Sequence, residues 1–446
     1  MSGFFTHLLG TTPVPHRKNT AGMPAVRMPA PKEVLLPMSQ HIGAPATPVV
    51  KPGDHVLVGQ LIAEAGGYVS SPIYASISGT VGKPETLLQA SGRSVPALRI
   101  VSDGEMQVSE TVVPPDIHDF DSFSAAVRNS GLVGLGGAGF PAAVKFDAEK
   151  KGLIKTVLLN GAECEPYITS DTRTMLDQAD LIKEGVALLM KYLSAEEYII
   201  GIERNKPECI AKMRETFADE PKMRVVELPD TYPQGGEKIL IYNTTGRTVP
   251  AGKLPADVGV IVMNVTSLAF LASYVKTGMP LVEKCVTVDG SAIPSPKNVI
   301  VPIGTPIADV LDFVGLGEEE PAKVLYGGPM MGNPVFSLGD PILKTTNAVT
   351  ALNRADATEP EPMPCIHCGR CVEECPMSLE PTRFNKLREI EDAGERADRL
   401  EAAGINLCIE CGCCSFVCPS KRPLVQSNRM AKAEVKEYRA HQATLK

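Results

Sequence analysis

From residue 120 to 280, apolar runs of strand length alternate with amphipathic stretches. Residues 156–160, 197–202, 223–228 and 258–264 read as strands, and 177–193, 207–217 and 236–242 as helices. Such alternation predicts a parallel α/β sheet, with ligands at the carboxyl ends of its strands. Before it, the first 110 residues carry short alternating runs punctuated by Pro and Gly, which predicts an all-β module. Residues 49–81 resemble a biotinyl/lipoyl-type hammerhead, but the hairpin around Tyr68 to Tyr74 has no lysine to carry a cofactor, so its expected role is structural. After 281, strands at 283–288, 298–302 and 324–326 with a helix at 306–314 predict a small β-grasp unit. Residues 380–403 predict one or two helices.

The expected fold is therefore multidomain α/β. An all-β hammerhead-like domain spans 1–115, a modified Rossmann-like parallel α/β domain 116–280 and a β-grasp (SLBB-like) domain 281–345. A linker follows at 346–362, then a helical two-cluster ferredoxin-like domain at 363–446. The uncharged run 258–275 is short for a membrane span and contains Asn264, Thr266, Ser267 and Ser273, which favours a buried strand running into a helix. The opening heptapeptide has no charged segment followed by a long apolar one, so no secretory signal is expected and the location is cytoplasmic.

Charge and cysteine usage divide the chain at the same place. The net charge is −8 in 446 residues, yet 361–446 hold 13 basic and 13 acidic residues, so the excess lies wholly upstream. An acidic balance without basic tracts argues against a nucleic-acid surface. Nine of the 12 cysteines fall between 365 and 418.

Those nine carry the strongest motif. Cys365-Ile-His-Cys368-Gly-Arg-Cys371-Val-Glu-Glu-Cys375-Pro is repeated as Cys408-Ile-Glu-Cys411-Gly-Cys-Cys414-Ser-Phe-Val-Cys418-Pro. This is the run of two-cluster ferredoxins, in which the fourth cysteine ligates the other cluster. It assigns Cys365, Cys368, Cys371 and Cys418 to one [4Fe-4S] cluster and Cys375, Cys408, Cys411 and Cys414 to the second. Zinc also takes four thiolates, but two complete copies of this longer spacing favour iron–sulfur. Cys413 is expected to be a bystander, and Cys209 and Cys285 small core residues.

Upstream, Gly134-Leu-Gly136-Gly137-Ala-Gly139-Phe140-Pro141 contains G-x-G-x-x-G without the strand that an ordinary dinucleotide fingerprint needs before it. Its amides and a helix starting near Pro141 offer a phosphate seat, with Lys145 one turn on. Strand ends supply Asn160, Glu163 and Glu165, then Asn264, and a turn supplies Tyr232, Gly235 and Glu237. Taken singly, each of these is more often a turn or cap residue. Together they form a candidate flavin and nicotinamide pocket.

With these motifs in view, the sequence resembles the Rnf electron-transport complex C subunits, and residues 120–340 resemble the NADH-binding flavoprotein subunit of respiratory complex I. The resemblance includes Leu36-Pro-Met-Ser-Gln-His-Ile-Gly-Ala-Pro and the paired cysteine motifs. It implies flavin (FMN) contacts from Gly134, Gly136, Gly137, Lys145, Asn160 and Asn264, and Phe140, Glu165, Tyr232 and Glu237 facing NAD(H). Gly139, Glu163 and Gly235 complete the expected cofactor-binding set. Leu135, Ala162 and Gly236 depart from the complex I pattern, which has Arg, Asp and Glu there.

The implied function is electron exchange between NAD(H), FMN and two [4Fe-4S] clusters at the cytoplasmic face of the bacterial inner membrane. The chain would sit peripherally among the A, B, D, E and G subunits, with ferredoxin an indirect partner. Two alternatives remain: a soluble flavin/iron–sulfur reductase of the cobalamin-reductase type, and a non-enzymatic wiring subunit. After Cys418, seven basic residues (421, 422, 429, 432, 436, 439 and 446) face Glu434 and Glu437, suggesting either a solvated helix or a surface for anionic lipid.

Overall fold

A computed structural model describes residues 10–444 except 91, 318 and 319. The opening heptapeptide and Lys446 lie outside the described residues. Four modules follow one another along the chain.

In the first, Glu33–Pro37, Ser94–Ser102, Gly79–Leu88 and His55–Val56 form one antiparallel sheet, and Thr47–Pro48, Leu61–Glu64 and Ile73–Tyr74 a second. Val34, Leu36, Ile62, Ile77 and Ile100 are fully buried between them. That core is continuous with Phe123, Val127, Val157 and Leu159 of the next module, so the expected boundary at 115 marks a change of pattern and not a break in packing. The hairpin at 68–74 docks on the second module through the Tyr74 hydroxyl, which donates to Asn129 O, and the Tyr68 hydroxyl, which donates to Asp147.

The second module is a four-stranded parallel sheet in the order Met223–Leu228, Glu197–Glu203, Thr156–Asn160, Val260–Asn264. Its central strands are apolar on both faces because helices cover both sides. Val157 and Leu159 pack toward Ala179–Tyr192 and Val265–Thr277, while Leu158 packs toward Glu237–Thr245. Each such side chain contributes about 1.5–3 kcal/mol by burial. The helix expected over 177–193 is Ala179–Tyr192, and a separate helix that was not expected, Ser170–Asp177, precedes it. The uncharged run 258–275 is this module's last strand and helix, and among the described residues no helix is long and apolar enough to cross a membrane.

The third module corrects the expected boundaries. Its six-stranded sheet runs Val26–Arg27, Lys297–Pro302, Glu283–Asp289, Ala348–Leu352, Lys323–Tyr326, Asn333–Pro334. The fully buried Ala348–Leu352 lies inside the stretch expected as linker; it pairs parallel with Glu283–Asp289 and antiparallel with Lys323–Tyr326. Short length and two polar flanks hid this strand. Val26–Arg27 joins the far edge, so residues 10–28 leave the first module and run as a strap across the others. In the fourth module Pro381–Leu387, Ala393–Ala402 and Leu424–Thr444 pack around Phe384, Leu400, Ile405, Ala431 and Val435.

One buried titratable group in the first module has a measurable consequence. His41 Nε2 stands 3.0–3.1 Å from Ala44 O, Ser70 Oγ and Ser71 N, and burial, aided by the charge of Lys344, lowers its pKa from 6.5 to about 4. As pH falls from 6.5 toward 4 the unfolded chain takes up a proton that the folded chain refuses, and stability declines. Allowing for partial exposure, the loss is about 2 kcal/mol, and urea titrations across that range should show it flattened in His41→Gln.

Candidate functional site

The glycine loop crosses the carboxyl edge of the parallel sheet. It closes on itself through Gly134 N–H to Phe140 O at 2.9 Å and Gly139 N–H to Gly134 O at 3.1 Å. Leu135, expected as a departure from the complex I pattern, is 2% exposed; its N–H donates to Ser267 Oγ and its carbonyl accepts from Lys284 Nζ. Gly136, Gly137 and Ala138 are exposed, and among the described residues their N–H groups have no acceptor. Three successive amides on exposed residues, free of protein acceptors, suit a phosphate oxygen. The helix behind them, Ala142–Phe146, is a single turn, so the loop amides and not a helix terminus offer this seat.

Beneath the loop, Asn160 and Asn264 end neighbouring strands in direct register. Asn264 Oδ1 accepts from Ser267 N–H, capping its own helix, and its Nδ2 donates to Asp171 at 2.7 Å. A Cβ on Gly136 would stand 3.0 Å from that Nδ2. Asn160 Nδ2 donates to Gly235 O. Lys145 Nζ donates to Val262 O at 2.8 Å and stands 3.8 Å from Glu237, with its pKa lowered chiefly by burial. Glu237 is half-exposed and Phe140 half-buried at the same edge. These residues leave an open, amide-lined edge that fits a phosphate-bearing flavin.

Three expected contacts are engaged elsewhere. Glu163 is 6% exposed and accepts from Asp171 N–H, Thr172 N–H, Thr172 Oγ1 and Ser170 Oγ, which ties it to the first turn of Ser170–Asp177. Glu163→Ala should therefore cost about 2–3 kcal/mol in urea unfolding, because charged acceptors of buried donors are lost. Glu165 accepts from Met330 and Met331 N–H at 2.8 and 2.9 Å, and burial raises its pKa. Tyr232, 1% exposed, donates its hydroxyl to Cys411 O at 2.8 Å. The resemblance implies a nucleotide facing Glu165 and Tyr232; here their side-chain oxygens, like those of Glu163, are bonded within the protein.

The two cysteine motifs have matching backbones. His367 and Glu410, one residue before the second cysteine of each copy, have φ of 54° and 58°, and each copy continues into one helical turn, Arg370–Glu373 or Cys413–Phe416. Positive φ at non-glycine residues is costly, and its repetition marks a loop shaped to wrap something. Cys365, Cys368, Cys371 and Cys418 line one cavity of about 140 Å³. Cys375, Cys408, Cys411 and Cys414 line a tighter one of about 20 Å³. Among the described residues no three Cys, His, Asp or Glu side chains converge as they would on a single ion. Thiols set around a cavity fit a polynuclear cluster, and backbone donors reach the sulfurs of Cys365 and Cys375, as thiolates require.

The second of these motifs abuts the parallel-sheet module. Ile409 Cδ1 would lie 3.6 Å from a Cβ on Gly236, and a Cβ on Gly412 would meet Met330 O at 2.7 Å. Val14, Tyr232, Cys411 and Cys413 share a buried patch with Cys164 and Ile409. Cys413, expected as a bystander, thus lies in a domain junction, its Sγ 3.9 Å from Tyr232 O. Cys209 is buried and Cys285 only half-buried. The first motif is more open: Cys368 is exposed, and Ile366 and Met363 are 66% and 55% exposed. The basic tail is largely engaged internally. Arg429 and Lys432 hold Glu410, Arg439 holds Asp398 and Glu401, and Arg422 donates to Asn385.

Sequence reasoning noted Lys18 only as the end of Thr12-Pro-Val-Pro-His16-Arg-Lys18, a partial match to the His-Pro-Pro-x-x-Lys of Rnf C subunits, and gave it no site role; its Nζ donates to the carbonyls of Glu163, Glu165 and Ile168 at 2.6–2.8 Å. Sequence reasoning missed Asp171 and Lys284. Of these two, Lys284 left a signal: it shares a strand face with Val286 and Val288, where a charge is out of place.

Comparison with known proteins divides the chain in the same way. Family profiles described as "RnfC Barrel sandwich hybrid domain", "Nuo51 FMN-binding domain", "SLBB domain" and "4Fe-4S dicluster domain" match residues 5–105, 127–273, 285–334 and 363–422. The C subunit of the proton-translocating ferredoxin:NAD(+) oxidoreductase complex of Clostridium ljungdahlii is 42% identical over 85% of this chain and 83% of its own. Its Na(+)-translocating counterpart from Acetobacterium woodii is 42% identical over 94% and 95%. The C subunit of the ion-translocating oxidoreductase complex of Pseudomonas aeruginosa is 41% identical over 95% of this chain but 55% of its own. Among solved structures, an NAD+-reducing [NiFe]-hydrogenase in the H2-reduced state superimposes with a TM-score of 0.51 at 19% identity, over 73% of this chain and 64% of that one, a likeness of fold.

Proposed function

The chain belongs to the family of Rnf complex C subunits, and from that premise we propose that it is the peripheral electron-input subunit of an ion-translocating ferredoxin:NAD oxidoreductase. Its partners are the other Rnf subunits, and it works at the cytoplasmic face of the membrane. FMN, when bound, supplies the conversion between the two-electron chemistry of NAD(H) and the one-electron chemistry of [4Fe-4S] clusters. The amides of Gly136, Gly137 and Ala138 would take the flavin phosphate, above Asn160 and Asn264. Phe140 and Glu237 lie at the open edge where the nicotinamide nucleotide would approach.

The observation that carries this reading is the junction: Tyr232 and Ile409 join the cysteine loop at 408–414 to the turn at 232–237. That supports a reading with the set of Cys375, Cys408, Cys411 and Cys414 on the flavin side. The set of Cys365, Cys368, Cys371 and Cys418 then lies outward, where Cys368 and Ile366 face partners. The proposed modules are a barrel-sandwich hybrid, a Rossmann-like flavin domain, a β-grasp domain and a dicluster domain. The full-length match to C subunits, first module included, supports the complex over a soluble reductase. The unpartnered loop amides support cofactor binding over a wiring role. The test is reconstitution with iron, sulfide and FMN: NADH should bleach flavin and cluster absorbance, and an unchanged spectrum rejects the dehydrogenase role.

A further inference from the structure

The underside of the glycine loop is held by one buried lysine of the third module, Lys284, next to a second, Lys344, that holds the chain before the loop. Lys284, 4% exposed, donates from Nζ to Leu135 O at 2.6 Å and to Lys344 O at 2.9 Å. Lys344, 1% exposed, donates to Gly131 O, Pro72 O and Ser71 Oγ at 2.7, 2.6 and 3.1 Å. All five bonds end on neutral oxygens, and the acidic group acting on Lys284 is Asp171, whose carboxylate is itself held by Asn264 and Thr266. Burying an ammonium this way is costly, and burial lowers the Lys284 pKa from 10.5 to about 7.

The peptide that Lys284 meets links it to the exposed face of the loop. In a trans peptide the C=O and the following N–H point in opposite directions, and among the described residues the only cis bond is Tyr232-Pro233. The peptide whose carbonyl meets Lys284 therefore sends the Gly136 N–H the other way, to the exposed face of the loop. The ammonium both fixes that peptide's orientation and polarises it, which makes its N–H a stronger donor to an anion. A positive charge behind the loop amides also favours a dianion over a neutral ligand of the same shape.

We propose that Lys284 is a positioning residue for phosphate recognition: from a separate domain it orients and polarises the Leu135–Gly136 peptide so that the loop selects the phosphorylated flavin. The inference rests on reading the loop as the flavin seat. Without that, the lysine would only brace a turn.

The test compares FMN with riboflavin on the full chain carrying its clusters, in wild type, Lys284→Met and Lys284→Gln. Glutamine keeps an N–H donor for the carbonyl without the charge, and serves if methionine fails to fold. Wild type should prefer FMN, and loss of the charge should cut FMN affinity about tenfold while riboflavin affinity changes little. Inorganic phosphate should also compete less well with FMN in the variants. Equal loss of both ligands, or an unchanged ratio in the variants, overturns the inference. Wild type that binds neither flavin overturns the reading beneath it instead, so the two failures are distinguishable.

Discussion

Cys418→Ala should remove about four of about eight irons per chain, because each cubane carries four and the lost thiol completes the site of the distant first motif. The assignment is tested by combinations. If Cys365, Cys368, Cys371 and Cys418 share a cluster, Cys368→Ala with Cys418→Ala loses no more iron than either alone, since both changes strike one site. Cys368→Ala with Cys375→Ala should lose nearly all of it. Were each motif instead to fill its own site, pairing Cys365, Cys368, Cys371 and Cys375, the two double variants would exchange results. Iron analysis with the visible spectrum is sufficient, and the cavity walls give the reason to expect the interleaved outcome: Cys418 lines the cavity of the first motif and Cys375 that of the second.

Gly139→Ala is expected to have the next largest effect, on flavin retention. Gly139 has φ of 65°, and a Cβ there would stand 2.7 Å from Thr345 Cγ2. A non-glycine residue in that conformation costs roughly 1–2 kcal/mol before the contact is relieved. Gly139 also carries the bond that closes the loop, N–H to Gly134 O, and its carbonyl receives Ile42 N–H from the first module. Relieving the strain by opening the loop removes the common orientation of the amides at 136–138, so FMN affinity should fall about tenfold or more, at 1.4 kcal/mol per decade. Fluorescence titration of the reconstituted chain measures it. Cluster content should stay constant, because neither cavity is lined by a residue of the loop.

Much of this architecture was legible because it rests on local pattern. The strands at 156–160, 197–203 and 260–264 are apolar on both faces and bounded by turns, and covered parallel strands leave that signature. The cysteine spacing is legible for a similar reason: a loop that wraps a compact object must bring its ligands round at fixed intervals.

What stayed hidden depends on contacts between distant segments. Tyr232 looks like a ligand-binding residue in a glycine-rich turn, yet its hydroxyl finds Cys411, 179 positions away. Glu163 sits in a motif rich in polar groups, but the donors that claim it belong to a helix whose start no local signal announced. Lys284 was visible as a charge on an apolar strand face. Its partner, a carbonyl in another domain, was not. Ala348–Leu352 was too short to outweigh the polar residues after it.

The strap at residues 10–28 touches each later module in turn. Thr12 pairs with Tyr232 and donates to Glu374, Lys18 caps three carbonyls between 163 and 168, Asn19 donates to Asp289, and Val26–Arg27 completes the third module's sheet. Thr12 is separated from Glu374 by 362 positions. A ribosome therefore releases this segment long before its last partner exists. Contacts of such long sequence separation close late in folding, which leaves the strap unfastened while the earlier modules condense. It would then settle only when the cysteine-bearing module arrives. Residues made early are thus among the last to find their places, and their fastening coincides with the docking of the electron-carrying module on the rest of the molecule.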